Sequence, residues 1–323
     1  MSKMNLFLAG GAGANIGSKF LRFNGKKEEG FTEITTYFID TSRSNLSLDI
    51  PEENIYLFEG VDGSGKKRDS NYRVIADATH DILHRFKPAD INVLVASCGG
   101  GSGSILAPVL VSELLNRGES VIVILIGSTG SRIETENTLK TLQSYDVISN
   151  KRNMPVIAFY RENSPEKLRG EVDMEIQTAI ILLTSIFSGE NKELDSSDLK
   201  NFLNYPKVTS FKPSLSLIDF YSEKIDLKKG EVLQSLVSLV DNETSPDVDV
   251  AVEYQATGFL SEVAKKSVNV ELPIHAAIVG GFFHGVVERL TQRLKYFDES
   301  RKAVIERPIA ASASNSTDEG LIL

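Results

Sequence analysis

The sequence contains no tryptophan and one cysteine, Cys98. A single cysteine forms no internal disulfide, so packing must hold the fold, and a reducing compartment suits it. Long apolar runs are missing too. Nothing approaches the roughly 20 consecutive apolar residues of a membrane-spanning helix. The start, Met1-Ser-Lys-Met-Asn5, lacks the apolar centre of a secretory signal. These absences predict a cytoplasmic protein with no membrane association. Basic charge is in deficit, with 35 Lys and Arg against 44 Asp and Glu and a formal net charge of -9. A general nucleic-acid binder would show a basic face, so no direct nucleic-acid contact is expected. No internal repeat is apparent. The 323 residues suffice for two modest domains with cores of their own.

Glycine, by contrast, is concentrated. Ile91 to Ala96 is an apolar run that reads as a buried parallel strand. Four of the next residues are glycine: Gly99, Gly100, Gly101 and Gly103, with Ser102 among them. Ser104 then opens a run at helical spacing, Ile105, Leu106, Val109, Leu110 and Leu114. A strand, a glycine-rich turn and a helix start form an arrangement that binds phosphate. Glycines let backbone N–H groups approach the anion, and the helix end supplies free donors. A tight turn alone would need one such glycine.

A second unit of this kind stands at the front. The strand Leu6 to Ala9 runs into Gly10, Gly11, Ala12, Gly13, Ala14 and Asn15, read as a turn, and then an amphipathic start with Ile16 and Phe20. The dinucleotide pattern G-x-G-x-x-G fails here because position 16 is Ile. The strand Ile34 to Ile39 ends at Asp40, which either faces the ligand crevice of an open sheet or caps the turn after it. Ile55 to Phe58 precedes a loop, Gly60 to Lys67, that contains Gly63, Ser64, Gly65 and Lys66. It falls one residue short of a P-loop, because Lys67 stands where Ser or Thr would hold Mg²⁺. It reads instead as a cationic glycine loop near phosphate. Further on, 71–86 reads as a helix, 121–126 as a strand and 127–131 as a third turn. A helix over 132–149, carrying Glu134 and Glu136 in its first turns, and a strand over 155–160 follow. Alternating strands and helices predict an α/β fold with a parallel sheet, its glycine turns at the carboxyl edge where ligands bind.

Residues 171–188 read as a helix with almost no polar face in its second half, expected to lie buried between two bodies of protein. Asp195 and Asp198 follow in a polar loop that runs into a short helix. Taken alone, they cap that helix. The second half of the chain reads as a smaller α+β unit. Strands are expected over 212–221, 248–255 and 274–283, helices near 230–240 and 258–266, and a last helix from Val286. The end, Asp318-Glu-Gly-Leu-Ile-Leu323, follows a linker of small residues and suits a docking peptide.

Three of these features, in this order, resemble the tubulin/FtsZ superfamily: Gly10 to Asn15, the central Gly-Gly-Gly-Ser-Gly-Ser over 99–104, and a long buried helix followed by an acidic D-x-x-D loop. The family's central motif is G-G-G-T-G-[ST]-G; here Ser102 replaces Thr and Ile105 stands where the last Gly would be. Its acidic pattern is N-x-D-x-x-D, and Glu193 takes the Asn position. Divergent loops and an acidic tail look most like the bacteriophage tubulins of the PhuZ type. The resemblance implies a polymerising GTPase that binds GTP, GDP and Mg²⁺ and associates with itself head to tail. Its fold would comprise a GTP-binding domain over 1–168, a central helix over 169–190, an α+β activation domain over 191–296 and a tail over 297–323. Gly10 to Asn15 would form the first phosphate loop, with Asn15 near the base. Asp40 would sit in the second loop, and Gly63 to Lys66 would lie near the γ-phosphate. Gly99 to Ser104 would cradle the α- and β-phosphates. Glu134 or Glu136 would reach the ribose, and Asp173 the guanine edge. Asp195 and Asp198 would act on the next subunit's nucleotide, the tail would dock on a neighbouring subunit, and filaments would position cargo in an infected cell. Two other readings stay open: a P-loop-like nucleotide kinase built on Gly60 to Lys66, and a non-catalytic nucleotide-binding scaffold.

Overall fold

In a computed structural model of the chain, residues 3–26, 31–61, 63–164, 166–241, 251–260 and 272–305 are described. The first half alternates as the apolar runs demand: β1 (Lys3–Ala9), α1 (Gly10–Gly17), β2 (Glu33–Asp40), β3 (Ile55–Leu57), α2 (Tyr72–Arg85), β4 (Ile91–Ser97), α3 (Gly103–Asn116), β5 (Val121–Ser128), α4 (Arg132–Arg152), β6 (Val156–Asn163) and α5 (Arg169–Ile186). These strands lie in the order β3-β2-β1-β4-β5-β6, and every pair among them is parallel. Alternate side chains feed two cores. Leu6, Leu8, Val93, Val95, Ile122 and Ile124 face one, which α1 and α5 cover. Phe7, Leu94, Ala96, Val123 and Leu125 face the other, under α2, α3 and α4. Burial on both faces explains why β4 and β5 read as unbroken apolar runs.

The sheet continues without a break into the second half. There the elements are β7 (Asn191–Lys192), α6 (Ser196–Leu203), β8 (Leu215–Tyr221), β9 (Val232–Val240), β10 (Gln255–Leu260), β11 (Ile274–Gly280) and α7 (Phe282–Ile305). β8 pairs parallel to β6, Val156 opposite Leu215. Beyond it the order is β11-β9-β10-β7, with β11 antiparallel to both β8 and β9. The α/β fold and the parallel sheet of the first half are as expected; the second half adds its strands to that same sheet, giving one mixed sheet with a parallel core.

Several local expectations fail for physical reasons. Residues 230–240 form no helix but the strand β9. Gln234, Ser235 and Ser238 mimic the polar face of a helix, yet all three are buried, because β9 is covered on both sides. The helix expected from 258 begins inside β10, and residues 261–266 lie outside the described ones. Of the strand expected over 248–255, only Gln255 is in β10, residues 251–254 are irregular, and 248–250 are likewise outside. The expected turn from Gly10 to Asn15 is itself helical, and α7 starts at Phe282 rather than Val286. The central helix α5 buries Val172, Ile176, Ala179, Ile180 and Leu183, but Met174 stays 61% and Ile181 37% exposed. It is buried along one side with an open strip. No described helix is long and apolar enough to cross a membrane.

Candidate functional site

A cavity of about 630 Å³ opens where β1, β2, β4 and β5 end. Its floor is backbone. Gly10 turns the chain from β1 straight into α1 with φ of +72°, and a Cβ there would stand 3.1 Å from Gly103 N. The starts of α1 and α3 therefore converge. Neither helix has a side-chain cap at its N-terminus, whereas Ser131 caps α4 and Asp195 caps α6. The first N–H groups of a helix need acceptors. At α1 and α3, unlike the also uncapped α2 and α5, the first helical residues Gly10, Gly11 and Gly103 line the cavity, an arrangement suited to an anion.

The 63–71 loop forms one wall. Its left-handed residues, Gly63, Gly65 and Lys66, give it a tight course, closed by Asn71 Nδ2 donating to Gly63 O at 2.9 Å. It touches the phosphate turn where Ser64 Oγ lies 3.2 Å from Ser102 Oγ, which in turn lies 2.6 Å from Thr41 Oγ1. Lys66 Nζ reaches Glu134 Oε1 at 2.7 Å. Ser128 and Ser131 hydroxyls donate to the other oxygen of Glu134 at 3.3 and 3.0 Å. Burial pushes the Glu134 carboxyl up, but the Lys66 and serine bonds outweigh it and hold the group below its ordinary value. The loop does not open a helix, since α2 begins only at Tyr72, so it lacks P-loop geometry.

Opposite lies a polar corner. Asn15 Nδ2 donates to Asp173 Oδ2 at 3.0 Å. Burial raises the Asp173 pKa, opposed by Arg169, which also lines the cavity, and by Asn15. Asp40 does both things expected of it. Its Oδ1 accepts from Thr41 N at 2.7 Å and Ser42 N at 3.2 Å, closing the turn, and its Oδ2 accepts from Asn45 Nδ2 at 2.8 Å beside the cavity. Burial is the largest influence on Asp40 and raises its pKa.

Most of the residues singled out by sequence therefore meet here: Gly10 to Ala12, Asn15, Asp40, Gly63, Ser64, Lys66, Gly99 to Gly103, Glu134 and Asp173 all line the cavity. Gly13, Ala14, Gly65, Ser104 and Glu136 do not. Gly13 packs α1 on the sheet, where a Cβ would stand 2.7 Å from Val95 O. Ala14 is buried in the core, and the buried Ser104 hydroxyl donates to Gly101 O at 2.8 Å. Glu136 turns outward and pairs with Arg132 and Lys140 at 2.9 and 2.6 Å. Asn45, Thr41, Arg169 and Asn137 were not among the expected site residues. For Asn137 a signal existed: Glu134, Asn137, Thr138 and Thr141 form a polar stripe at helical spacing on α4, where a core stripe belongs.

Asp195 and Asp198 lie elsewhere. Asp195 Oδ1 accepts from Ser197 N at 2.6 Å and Asp198 N at 3.0 Å, while Asp198 Oδ2 accepts from Asp195 N at 3.0 Å. This is a reciprocal capping box on α6. Tyr254 also donates to Asp198 Oδ1 at 3.1 Å. Ser196, Leu199 and Lys200 of α6 share a cleft with Asp90 and Ile91 at the beginning of β4 and with Glu119 and Ser120 just before β5. The acidic helix thus sits at the amino edge of the sheet and the cavity at its carboxyl edge. The seven residues of β4 separate them, about 20 Å at the rise of a strand.

No protein-family model matches the chain. It is 25% identical over 336 residues to a phage tubulin-like protein of Pseudomonas phage phiKZ, a match that covers 99% of this chain and 98% of that one. Among solved structures it is similar to a protofilament of TubZ from bacteriophage phiKZ, with a TM-score of 0.81 and 25% identity over 100% of both chains. It also resembles in fold the structure of the phage tubulin PhuZ with GDP, with a TM-score of 0.85 and 18% identity over 100% of both chains.

Proposed function

We propose, from a chain of the tubulin/FtsZ superfamily that is most like the bacteriophage tubulins, that this protein is a GTPase that assembles head to tail and hydrolyses GTP where two subunits meet. The observation that carries this reading is the placement of acids and phosphate cradle on opposite edges of the same strands. Stacking copies along the strand direction brings Asp195 and Asp198 of one subunit over the cavity of the next. Neither acid reaches the cavity of its own chain. In this reading residues 1–168 bind nucleotide, 169–190 form the connecting helix and 191–296 supply the acids.

The starts of α1 and α3 hold the phosphates through backbone N–H groups, and Lys66 supplies a cation near the terminal phosphate. Asp173 selects the base. A carboxylate accepts from the two donors on the guanine edge, whereas adenine presents an acceptor there. Among the described residues no group of three or more His, Cys, Asp or Glu side chains could hold a metal ion. This suits Mg²⁺ that arrives on the triphosphate and keeps most of its ligands as phosphate and water. The capped acids of α6 orient the attacking water against the neighbour's γ-phosphate. Loss of that phosphate weakens the joint, so filaments turn over and can position cargo in an infected cell.

The end of the chain adds a second contact between subunits. A groove of about 690 Å³ beside the cavity is lined by Lys66, Lys67, Arg68, Arg73 and Lys140, which outnumber its two carboxylates, Asp69 and the Lys140-paired Glu136, and by Val74 and Ile133, which are 45% and 42% exposed. This cationic excess and the apolar side chains complement Asp318-Glu-Gly-Leu-Ile-Leu323, a segment outside the described residues. Light scattering and phosphate release with GTP, with ATP and without nucleotide test the whole. Scattering should need GTP, and release per chain should rise steeply above a critical concentration. Release per chain that stays flat from dilute to concentrated protein would return the site to a self-contained enzyme such as a kinase.

A further inference from the structure

The polar stripe on α4 is tied to loop backbone. Asn137 Nδ2 donates to Lys66 O at 2.9 Å, Gly99 O at 3.2 Å and Gly100 O at 3.3 Å. Thr141 Oγ1 lies 3.1 Å from Cys98 O and donates to it. One amide therefore joins the 63–71 loop to the phosphate turn. In a trans peptide the C=O of one residue and the N–H of the next point in opposite directions. Holding the Gly99 and Gly100 carbonyls on Asn137 faces the N–H groups of Gly100 and Gly101 away from α4, on the side of the cavity those residues line.

Arg68 fastens the other end of the loop. Its guanidinium donates to Asn137 O at 3.0 Å, to Thr141 Oγ1 and to Ser144 Oγ at 3.3 Å. All three acceptors are neutral, and among the described residues no carboxylate pairs with this half-buried cation. Burial pulls its pKa down from the ordinary arginine value. A cation held by neutral oxygens leaves positive potential around it, which favours an anion in the adjoining cradle. Neither Arg68 nor Asn137 lines the cavity itself.

We propose that Asn137 and Arg68 are positioning residues that brace the 63–66 loop against the 99–101 turn and thereby set the preference of the site for a nucleoside triphosphate over a diphosphate. This rests on reading the cavity as a guanine-nucleotide site. Arg68 ties only its own loop to α4, the loop that the nucleotide reading puts beside the third phosphate. Asn137 holds both walls.

The test is equilibrium titration of the full chain, below its assembly concentration, with GTPγS and with GDP. Arg68→Gln should weaken GTPγS binding about tenfold and GDP binding less than about threefold, the effect of one lost ordering contact. Arg68→Lys, which keeps the charge but not the three-way grip, should fall between it and wild type. Asn137→Ala should weaken both nucleotides, the triphosphate more. A merely structural loss would lower both affinities equally. Variants that keep the wild-type ratio of GTPγS to GDP affinity overturn the brace alone. A wild-type chain that binds neither nucleotide overturns the site reading and the brace together. Should Asn137→Ala fail to fold, the two Arg68 variants decide.

Discussion

A Cβ added to Gly101 would overlap Ser64 Oγ and stand 3.1 Å from Lys66 Cα. Gly101 is not among the glycines with positive φ, so space rather than backbone freedom demands glycine there. Gly101→Val must push the 63–66 loop off the phosphate turn. GTP affinity should fall by roughly two orders of magnitude, about 3 kcal/mol, while the fold survives because the displaced loop is at the surface. Unchanged affinity in a folded variant would remove the 99–104 turn from the site. Asp40 makes a different forecast. Its carboxyl is raised above the ordinary value of 3.8, chiefly by burial. A raised carboxyl favours the protonated form in the folded state. Its contribution to stability is therefore full below 3.8 and lost as pH rises through the raised value. Asp40→Asn escapes that loss. Between about pH 3.5 and pH 7 the melting temperature of wild type should fall relative to the variant. A constant difference would mean that the hydrogen bonds to Asp40 fully offset its burial. Asp40 and Asn15 were legible because local motifs contain them. For Asn137 the polar stripe on α4 marked the residue but not its partners, and Arg68 had no such signal, because their contacts lie far off in sequence: Asn137 reaches Gly99 across 38 positions and Lys66 across 71.

At the scale of elements, α6 carries the sharpest question. The capping reading of Asp198 has a geometry; the catalytic one is part of the proposed function. As the N3 partner in the capping box it accepts from Asp195 N, and its removal should cost about 0.5–2 kcal/mol of stability. As a water-orienting acid for the next subunit, its removal should leave GTP binding and assembly intact but lower hydrolysis by orders of magnitude. Filaments of Asp198→Ala should then persist. The measurement is phosphate release normalised to sedimented polymer, alongside a melting curve. A wild-type rate per polymerised subunit, with only the melting temperature reduced, would leave Asp198 as a cap and nothing more. The elements around α6 also mark where sequence reading stops. Strands β1, β4 and β5 carry mostly apolar runs, broken only by Asn5 in β1 and Asn92 in β4 before the glycine turns begin, so they could be read directly. In β9, buried serines and a glutamine broke the apolar run at helical spacing and hid a strand: Ser238 is paired with His275 at 2.7 Å, while the buried Ser235 Oγ and Gln234 Oε1 have no hydrogen-bond partner among the described residues. The beginning of α1 was hidden for a related reason. Helix propensity argues against Gly10 to Gly13, yet closeness to the sheet and to α3 demands small residues there.

For the whole molecule, the proposed assembly rests on the sheet having different chemistry at the two ends of its parallel strands. Glycine turns and uncapped helix starts occupy one end and a capped acidic helix the other, so in the proposed assembly like copies meet head to tail. Such a joint alone leaves strength and turnover to one interface. In the proposed assembly the tail is a second, independent hold. Its apolar tip, Leu321, Ile322 and Leu323, follows Asp318 and Glu319 after a run of small residues, Ala310 to Thr317. The groove beside the cavity presents Lys67, Arg73 and Lys140 around apolar Val74 and Ile133. Binding through a tether works at high effective concentration once the main joint has formed, so a weak peptide contact strengthens assembly strongly. Deleting residues 310–323 should therefore leave GTP binding by the monomer unchanged and raise the critical concentration about tenfold or more, the effect of losing roughly 1.4 kcal/mol per joint. Arg73→Glu, in the groove rather than the tail, should raise it in the same direction. Combining the two should add little, because both remove one contact. The check is sedimentation of GTP-driven polymer across a concentration series. If truncation leaves the critical concentration where it was, the tail is no longitudinal contact, and the groove serves some other partner.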